Sequence, residues 1–261
     1  MHSSDPFDHW RTSLQQWAIP QHIIDGAPES PWIHPVENFV PRGDLHVEVP
    51  SRLRALEALD GQEPSVLDIG CGGGRAAFGL VPPAVHVVGV DHQQGMLDVF
   101  TAQAEDRGVR CTTVLGDWPE AAPRTPVCDV VVCHHVFYNV QNLRPFVEQL
   151  TSHAGRRVVV ELPGHHPLSN MSPAWEHFWD LSRPVSPTAD DALACVRSLG
   201  IDAHIEWFED PPSVPREPTD DEVRHTRVRL CLTPDRDDDI RTFLRDNPRA
   251  PRRLATIWWD V

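Results

Sequence analysis

Short apolar segments alternate with helical patterns along most of the 261-residue chain, and this alternation restricts the fold more than any other feature. The predicted strands lie at 65–70, 85–91, 109–117, within 128–137, and at 156–164, 201–210 and 225–233. Helical patterns lie between most of them, at 94–108, 142–155 and 188–200. Strands that are apolar on both faces are typical of parallel sheets covered on each side by helices. The sequence therefore predicts an α/β protein with a mostly parallel sheet.

Two segments do not follow the alternation. Residues 1–44 carry Pro, His and Trp without a regular period, and we predict a short helix near 7–17 followed by an irregular arm. Residues 163–187 interrupt the order after the fifth strand. We therefore expect an N-terminal arm or lid over 1–44, and a main domain over 45–261 with a cap insertion at 163–187.

The helix that should open the main domain begins near Ser51, which we expect to be its N-cap. Leu53, Leu56 and Leu59 follow at helical spacing and are expected to share one buried face.

Charge and cysteine content narrow the class of partner. The formal net charge is −15, which argues against a nucleic-acid duplex or an anionic membrane surface. All 23 basic residues are arginine, so lysine-based catalysis is excluded.

The six cysteines form no CxxC pair, which favours free thiols in a reducing compartment over disulfides or zinc ligands. No apolar run is long enough to span a membrane, so a cytoplasmic protein is expected. No HxxxH or HxH spacing indicates a metal site.

Acidic residues stand at the ends of three successive predicted strands. Asp68 opens the pattern Asp-x-Gly-x-Gly-x-Gly, the second strand ends at Asp91, and the third ends in Gly116-Asp117-Trp118. The carboxyl ends of parallel strands form the ligand-binding edge of an open α/β sheet. Glycines there let a ligand approach the backbone, and a carboxylate can accept hydrogen bonds from both ribose hydroxyls.

These three elements resemble the class I S-adenosylmethionine-dependent methyltransferases over residues 50–232, roughly two-thirds of the chain. The segments that carry the resemblance are "VLDIGCGGG", "GVDHQQGML", "LGDW" and "CDVVVCHHVFYNV". The resemblance implies a Rossmann-like seven-stranded, mostly parallel sheet with an antiparallel last strand, helices on both faces, an N-terminal arm and a cap after strand five. It also implies S-adenosyl-L-methionine as cofactor.

The family pattern assigns cofactor roles to individual residues. Asp68, Gly70 and Gly72 would hold the methionine portion, and Asp91 the ribose hydroxyls. Asp117 would bind the adenine amino group. The remaining residues expected around the cofactor are His92, Met96, Gly116, Trp118 and His134.

Other interpretations of these residues stay open. Each acid could be an ordinary turn residue, and a dinucleotide-dependent dehydrogenase would also use glycines and an acid after strand two, although it leaves Gly116-Asp117-Trp118 unexplained. Within the resemblance, the alternatives are a non-methyl transfer from the same cofactor and a cofactor-binding protein without catalysis.

The acceptor is expected to be a small, hydrophobic or aromatic molecule. The segment after the fourth strand, "CHHVFY", lacks the prolines of amino-methylating DNA enzymes, and no cysteine follows a proline. Candidates for a catalytic role are His134, His135, Tyr138, His165 and His166, which follow the fourth and fifth strands. Each histidine could equally be a hydrogen-bonded turn residue.

Aromatic residues cluster in the two segments outside the alternation. They are Trp17, Trp32 and Phe39 in the arm, joined there by Ile19 and His34, and Trp175, Phe178 and Trp179 in the insertion, joined by Met171 and His177. They could line an acceptor pocket or form ordinary core. The tail "RRLATIWWDV" could make a homodimer contact, but we favour a final segment docked on the same domain.

Overall fold

A seven-stranded sheet forms the centre of the computed structural model, which describes residues 5–32, 39–41, 43–209, 216–248 and 251–261. The strands are β1 (Ser65–Ile69), β2 (His86–Asp91), β3 (Arg110–Leu115), β4 (Cys128–His134), β5 (Ala154–Pro163), β6 (His204–Glu209) and β7 (Arg253–Asp260). Their order is β3-β2-β1-β4-β5-β7-β6, with β7 antiparallel to both of its neighbours. This is the Rossmann-like fold that the sequence predicted. The strand order reverses between β1 and β4, the place where such sheets bind ligands.

Helices cover both faces of the sheet. In the described residues they are α1 (Pro6–Gln15), α2 (Gln21–Asp25), α3 (Pro50–Glu57), α4 (Arg75–Phe78), α5 (Gln94–Arg107), α6 (Leu143–Ser152), α7 (Ser172–Trp179), α8 (Ala189–Ser198), α9 (Asp220–Arg229) and α10 (Asp237–Asp246). One face packs against α3, α4 and α5, and the other against α1, α6 and α8. Helix α5 buries the apolar stripe expected of it and ends at Gly108 in the left-handed conformation.

The prediction of a strand over 225–233 is wrong. These residues form the second half of α9 and the loop after it. Thr219 and Glu222 form a capping box: the Thr219 side chain accepts the Glu222 N–H, and the Glu222 side chain accepts the Thr219 N–H. These two hydrogen bonds fix the start of the helix. The seventh strand is instead the tail, and its Trp259 is 1% exposed and pairs with Val158 of β5. The tail is therefore docked on its own domain.

The prediction for α3 is wrong in its details. The helix begins at Pro50, with Val49 at the N-cap, and the Ser51 hydroxyl bonds to Glu161 of β5 instead of capping the helix. Leu53 is 41% exposed, whereas Ala55 is fully buried. Proline tolerates the first helical position because its missing N–H would have no partner there.

A separate hydrophobic cluster lies outside the sheet and combines three parts of the chain. It contains Ile19 and Ile23 from the arm, Ala174 and Trp175 from α7, and Val223, Leu230, Cys231, Leu232 and Ile240 from the segment between β6 and β7. We call this group the cap cluster. The sequence analysis did not predict that the segment between β6 and β7 packs with the arm and the insertion.

Trp17 of the N-terminal arm contacts the insertion at 163–187. Its indole N–H donates to the Ser186 carbonyl at 2.6 Å, and its ring stacks on His166 at 4.1 Å. The Arg183 guanidinium donates to the Trp17 carbonyl and lies over the Trp17 ring. Within the described part of the chain, no helix is both long and apolar enough to span a bilayer.

Candidate functional site

The glycine loop after β1 is anchored on the neighbouring strand. Both Gly70 N–H and Cys71 N–H donate to the Val90 carbonyl, at 2.9 and 3.0 Å. Gly72 has φ of +50°, a left-handed conformation in which a side chain would be strained. The Gly72 N–H donates to Asp91 Oδ2 at 3.0 Å. The loop is therefore bonded directly to the acid that ends β2.

Asp91 sits at the centre of this edge and is 8% exposed. Its Oδ1 accepts the Gln93 N–H at 3.0 Å, so each carboxylate oxygen takes one backbone hydrogen bond. Further lone pairs remain on both oxygens, as the recognition of a vicinal diol requires. His92 is exposed beside it, with Nδ1 at 3.7 Å from Asp91 Oδ1.

Asp68 lies deeper than Asp91 and is 2% exposed. Its Oδ2 accepts the Ala77 N–H at 3.2 Å, which ties the end of β1 to the first turn of α4. Burial raises the pKa of Asp68 to about 8, the negative charge of Asp91 adds to this, and the Ala77 hydrogen bond opposes it. Asp68 is therefore mostly protonated at neutral pH in the ligand-free protein, and a positive ligand nearby would favour its ionised form.

The third acid lies at the end of β3. Gly116 has φ of +152° and donates its N–H to the Asp91 carbonyl at 3.0 Å, while Asp117 is exposed. Trp118 is buried, and its indole N–H donates to the Phe146 carbonyl at 3.3 Å. Met96 is buried near the start of α5. The Trp118 ring thus packs against α6, whereas Asp117 is available to a ligand.

A cluster of histidine and acid follows β4 and β5. His135 Nε2 lies 3.2 Å from Glu161 Oε1, and Glu161 Oε2 accepts the Ser51 hydroxyl at 2.5 Å. His134 lies in the row beside them, and its buried Nε2 has no hydrogen-bond partner. Burial lowers the pKa of His134, and the neighbouring charge of Glu161 opposes this. The sequence analysis missed Ser51 in this role and Glu161 altogether, although a glutamate in the apolar run "VVVELP" was a signal.

The other catalytic candidates have different surroundings. The Tyr138 hydroxyl donates to the Pro163 carbonyl at 2.8 Å, and burial raises the pKa of this phenol. His166 Nδ1 accepts the Leu168 N–H at 3.2 Å, and burial together with the charge of Arg183 lowers its pKa to about 4. His165 is exposed. Of these candidates, His135 is therefore the one whose ring lies within ion-pair distance of a carboxylate.

The cap aromatics are mostly core. Trp175 is 2% exposed within the cap cluster, Phe178 packs on Phe243, and the Trp179 indole donates to the Leu230 carbonyl. Trp32 and Phe39 are exposed, at 50% and 42%, and His34 lies outside the described residues.

Comparison with known proteins agrees with this geometry. Residues 66–154, about a third of the chain, match a family described as "Methyltransferase domain". Ubiquinone biosynthesis O-methyltransferases of Rickettsia canadensis and Rickettsia conorii are each 33% identical over 88 residues. These matches cover 34% of this chain and 37% and 30% of the two relatives, so the chain spans about a third of their length.

Solved structures show the same fold. The YcgJ protein from Bacillus subtilis has a TM-score of 0.54 at 16% identity, with 80% of this chain and 97% of that chain covered. A protein from Bacillus halodurans C-125 gives a TM-score of 0.53 at 16% identity, with 80% and 96% covered.

The strand order and the glycine loop bonded to Asp91 agree with the fold of class I S-adenosylmethionine-dependent methyltransferases, and residues 66–154 match a methyltransferase domain. The matched domain implies S-adenosylmethionine as the cofactor, which would supply an electrophilic methyl group on a sulfonium. The residues present fit this group: Asp91 offers oxygens to a diol, the loop glycines leave the backbone accessible, and the buried His134 Nε2 lacks a protein partner. In the described residues, no group of three or more His, Cys, Asp or Glu side chains is arranged to hold a metal ion.

Proposed function

We propose that this protein transfers a methyl group from S-adenosylmethionine to a small hydrophobic or aromatic acceptor. The observation that carries the proposal is the Asp91 carboxylate at the end of β2, which accepts the Gly72 N–H of the glycine loop, beside the point between β1 and β4 where the strand order reverses. The curated relatives are O-methyltransferases, which favours an oxygen atom as the acceptor. The net charge of −15 supports an acceptor other than nucleic acid.

Binding of the cofactor is the first expected result. We expect S-adenosylmethionine and its demethylated product, S-adenosylhomocysteine, to bind the full chain, and a chelator to leave both affinities unchanged. Calorimetry with each ligand, with and without the chelator, measures this. No heat of binding at millimolar ligand would refute the proposed function.

A cytoplasmic location and the absence of a membrane partner belong to the same proposal. All six cysteines are free, and burial raises the pKa of all six, as expected of inert thiols in a reducing compartment. A homodimer belongs to the proposal as well, but the C-terminal tail does not support it, because that tail forms β7 between β5 and β6.

We further propose that the arm over 1–44 and the insertion at 163–187 act as a lid over the site. Phe39 and Pro41 lie against the glycine loop, where a Cβ on Gly73 would come within 2.3 Å of the Phe39 carbonyl oxygen and 2.6 Å of Pro41 Cδ. The same arm is held to the insertion through Trp17. A lid excludes water from the reacting atoms, which displacement at a sulfonium requires.

Substitution Gly73→Ala tests the arm contact. Gly73 is outside the left-handed region, so the alanine should leave the loop conformation intact but push the arm away. In peptides covering 39–50 we expect amide hydrogen exchange to be faster by about tenfold, because about 1.4 kcal/mol of local stability is lost.

Gly26→Ala is the matched control, since its Cβ would meet only backbone oxygens at 3.7 and 3.8 Å. In the wild type, S-adenosylhomocysteine should slow exchange over 39–50 as well as in the glycine loop. Protection of the loop alone would place the lid elsewhere.

A further inference from the structure

A row of buried polar side chains crosses three strands near the glycine loop. His134 of β4 pairs in register with Glu161 of β5, and Glu161 pairs with Thr256 of β7, so the three residues share one face of the sheet. Glu161 is 8% exposed and Thr256 fully buried. A carboxylate persists in such surroundings only when its charge is compensated by hydrogen bonds or positive groups.

Glu161 has these partners. The Ser51 hydroxyl donates to Oε2 at 2.5 Å, and His135 Nε2 lies 3.2 Å from Oε1. Burial by itself would raise the pKa of Glu161, but the two imidazoles and the Ser51 hydroxyl lower it to about 2. Glu161 is therefore an anion at neutral pH and can only accept hydrogen bonds.

The backbone at His135 directs its ring to this carboxylate. His135 has φ of +61°, an uncommon conformation for a residue other than glycine, and its N–H donates to the Glu161 carbonyl at 2.7 Å. Since a carboxylate can only accept, a neutral His135 ring next to Glu161 is favoured with its proton on Nε2, 3.2 Å from Oε1. The lone pair then lies on Nδ1 of a side chain that is 45% exposed.

His135 is also close to the cofactor loop. A Cβ on Gly70 would lie 2.5 Å from Cγ2 of Val136, so the residue after His135 touches the loop that follows β1. Two other candidates are already engaged: the Tyr138 hydroxyl donates a hydrogen bond to the Pro163 carbonyl, and His166 Nδ1 accepts the Leu168 N–H. His165 is exposed, but within the described residues no carboxylate forms an ion pair with it.

We propose that His135 Nδ1 is the general base that removes a proton from the acceptor, with Glu161 and Ser51 as positioning residues. This inference rests on the proposed function and specifies its substrate class: an acceptor with an acidic hydroxyl, such as a phenol. The O–H proton passes to Nδ1, the oxygen forms its bond to the methyl carbon, and the carbon–sulfur bond breaks with its electron pair left on sulfur. Glu161 compensates the imidazolium until solvent takes the proton.

The tautomer of His135 tests the dyad without any acceptor. Correlation of ring nitrogens and carbon-bound protons in the ¹⁵N-labelled full chain at pH 8, with and without S-adenosylhomocysteine, should show His135 as the Nε2–H form. The signal is assigned by its loss in His135→Gln. In Glu161→Gln we expect the ratio of Nε2–H to Nδ1–H to fall by about tenfold, because a neutral amide accepts more weakly than a carboxylate.

Glu206→Gln is the matched control, since Glu206 on the edge strand β6 pairs in register with Thr256 but accepts a hydrogen bond from Arg54 of α3. It should leave the His135 tautomer unchanged. An Nδ1–H form in the wild type, or a ratio that Glu161→Gln does not change, would overturn the dyad whether or not the cofactor binds. Failure of S-adenosylhomocysteine to bind the wild type would instead overturn the proposed function.

The rate of methyl transfer tests the base itself. With catechol, phenol and 4-hydroxybenzoate as acceptors at pH 8, His135→Gln should lower turnover by about 100-fold while the affinity for S-adenosylhomocysteine stays the same. A loss below about threefold would overturn the assignment of the base. A wild-type protein that methylates none of these phenols would overturn the acceptor class, and the tautomer ratio would then decide the role of Glu161 by itself.

Discussion

Replacing Asp91 by asparagine is expected to weaken the binding of S-adenosylhomocysteine by at least about 100-fold. A hydrogen bond to a charged group contributes about 1.5–3 kcal/mol, and a ribose offers two hydroxyls to this carboxylate. The asparagine amide also places a donor where one oxygen now accepts the N–H of Gly72 or Gln93. The variant therefore has no charged acceptor for the two ribose hydroxyls, keeps one amide oxygen in place of two carboxylate oxygens, and loses one anchor of the loop.

Asp117→Asn is the matched comparison, because Asp117 is an exposed acid at the end of the next strand. It is expected to lose about tenfold, as a single hydrogen bond at an exposed position would. Calorimetry gives both affinities, and thermal unfolding without ligand shows whether each variant is folded. Equal or reversed losses would mean that the ribose lies elsewhere than at β2.

The central sheet and the cofactor edge could be predicted from the sequence because each depends on local pattern. β1, β2 and β4 are apolar runs that end at a glycine or a polar residue, and parallel strands bring those ends to one edge. Spacing alone therefore placed Asp68 and Asp91 near each other. It did not show that Asp68 is buried beneath the loop, since this depends on how α4 closes over β1.

The last third of the chain was harder because its local patterns are ambiguous. "HTRVRLCLT" alternates polar and apolar residues as a strand does, yet the capping box of Thr219 and Glu222 starts a helix that continues into it. The tail became β7 because its β-branched and aromatic residues fill the gap between β5 and β6. That gap exists only in the folded sheet, so no local pattern could reveal it.

The contact between Ser51 and Glu161 illustrates a second limit. The two residues are 110 positions apart, and a serine before a helical stripe is more often an N-cap. A buried acid in a strand was the available signal, but its partners follow from the register of β4, β5 and β7 and from the position of α3.

Asp68→Asn is expected to stabilise the ligand-free protein at pH 8 by at least about 2 kcal/mol, since one pKa unit corresponds to about 1.4 kcal/mol. The pKa of Asp68 is raised to about 8 in the folded protein, whereas the ordinary value for an aspartate, expected in the unfolded chain, is 3.8. Between these values the folded state holds a proton that the unfolded state has released. Stability of the wild type therefore falls as pH rises from about 4 to about 8, and only the wild type carries this loss.

Urea unfolding of both proteins at pH 5 and pH 8 measures the difference. The advantage of the variant should be small at pH 5 and grow toward pH 8, while all other titrating groups cancel in the comparison. Asparagine keeps an oxygen that can accept the Ala77 N–H, so the link to α4 is retained. A variant that is less stable at both pH values would show that the hydrogen bond matters more than the buried charge.

Binding should change in the opposite direction to stability. A positive ligand at the glycine loop favours the ionised form of Asp68, so the wild type should release protons when S-adenosylmethionine binds, and Asp68→Asn should remove that release. The variant should also lose more affinity for S-adenosylmethionine, whose sulfonium is positive, than for S-adenosylhomocysteine, whose sulfur is neutral. Calorimetry in buffers of different ionisation enthalpy counts the protons. An unchanged proton count, with equal losses for the two ligands, would mean that Asp68 supports the loop without sensing the charge of the cofactor.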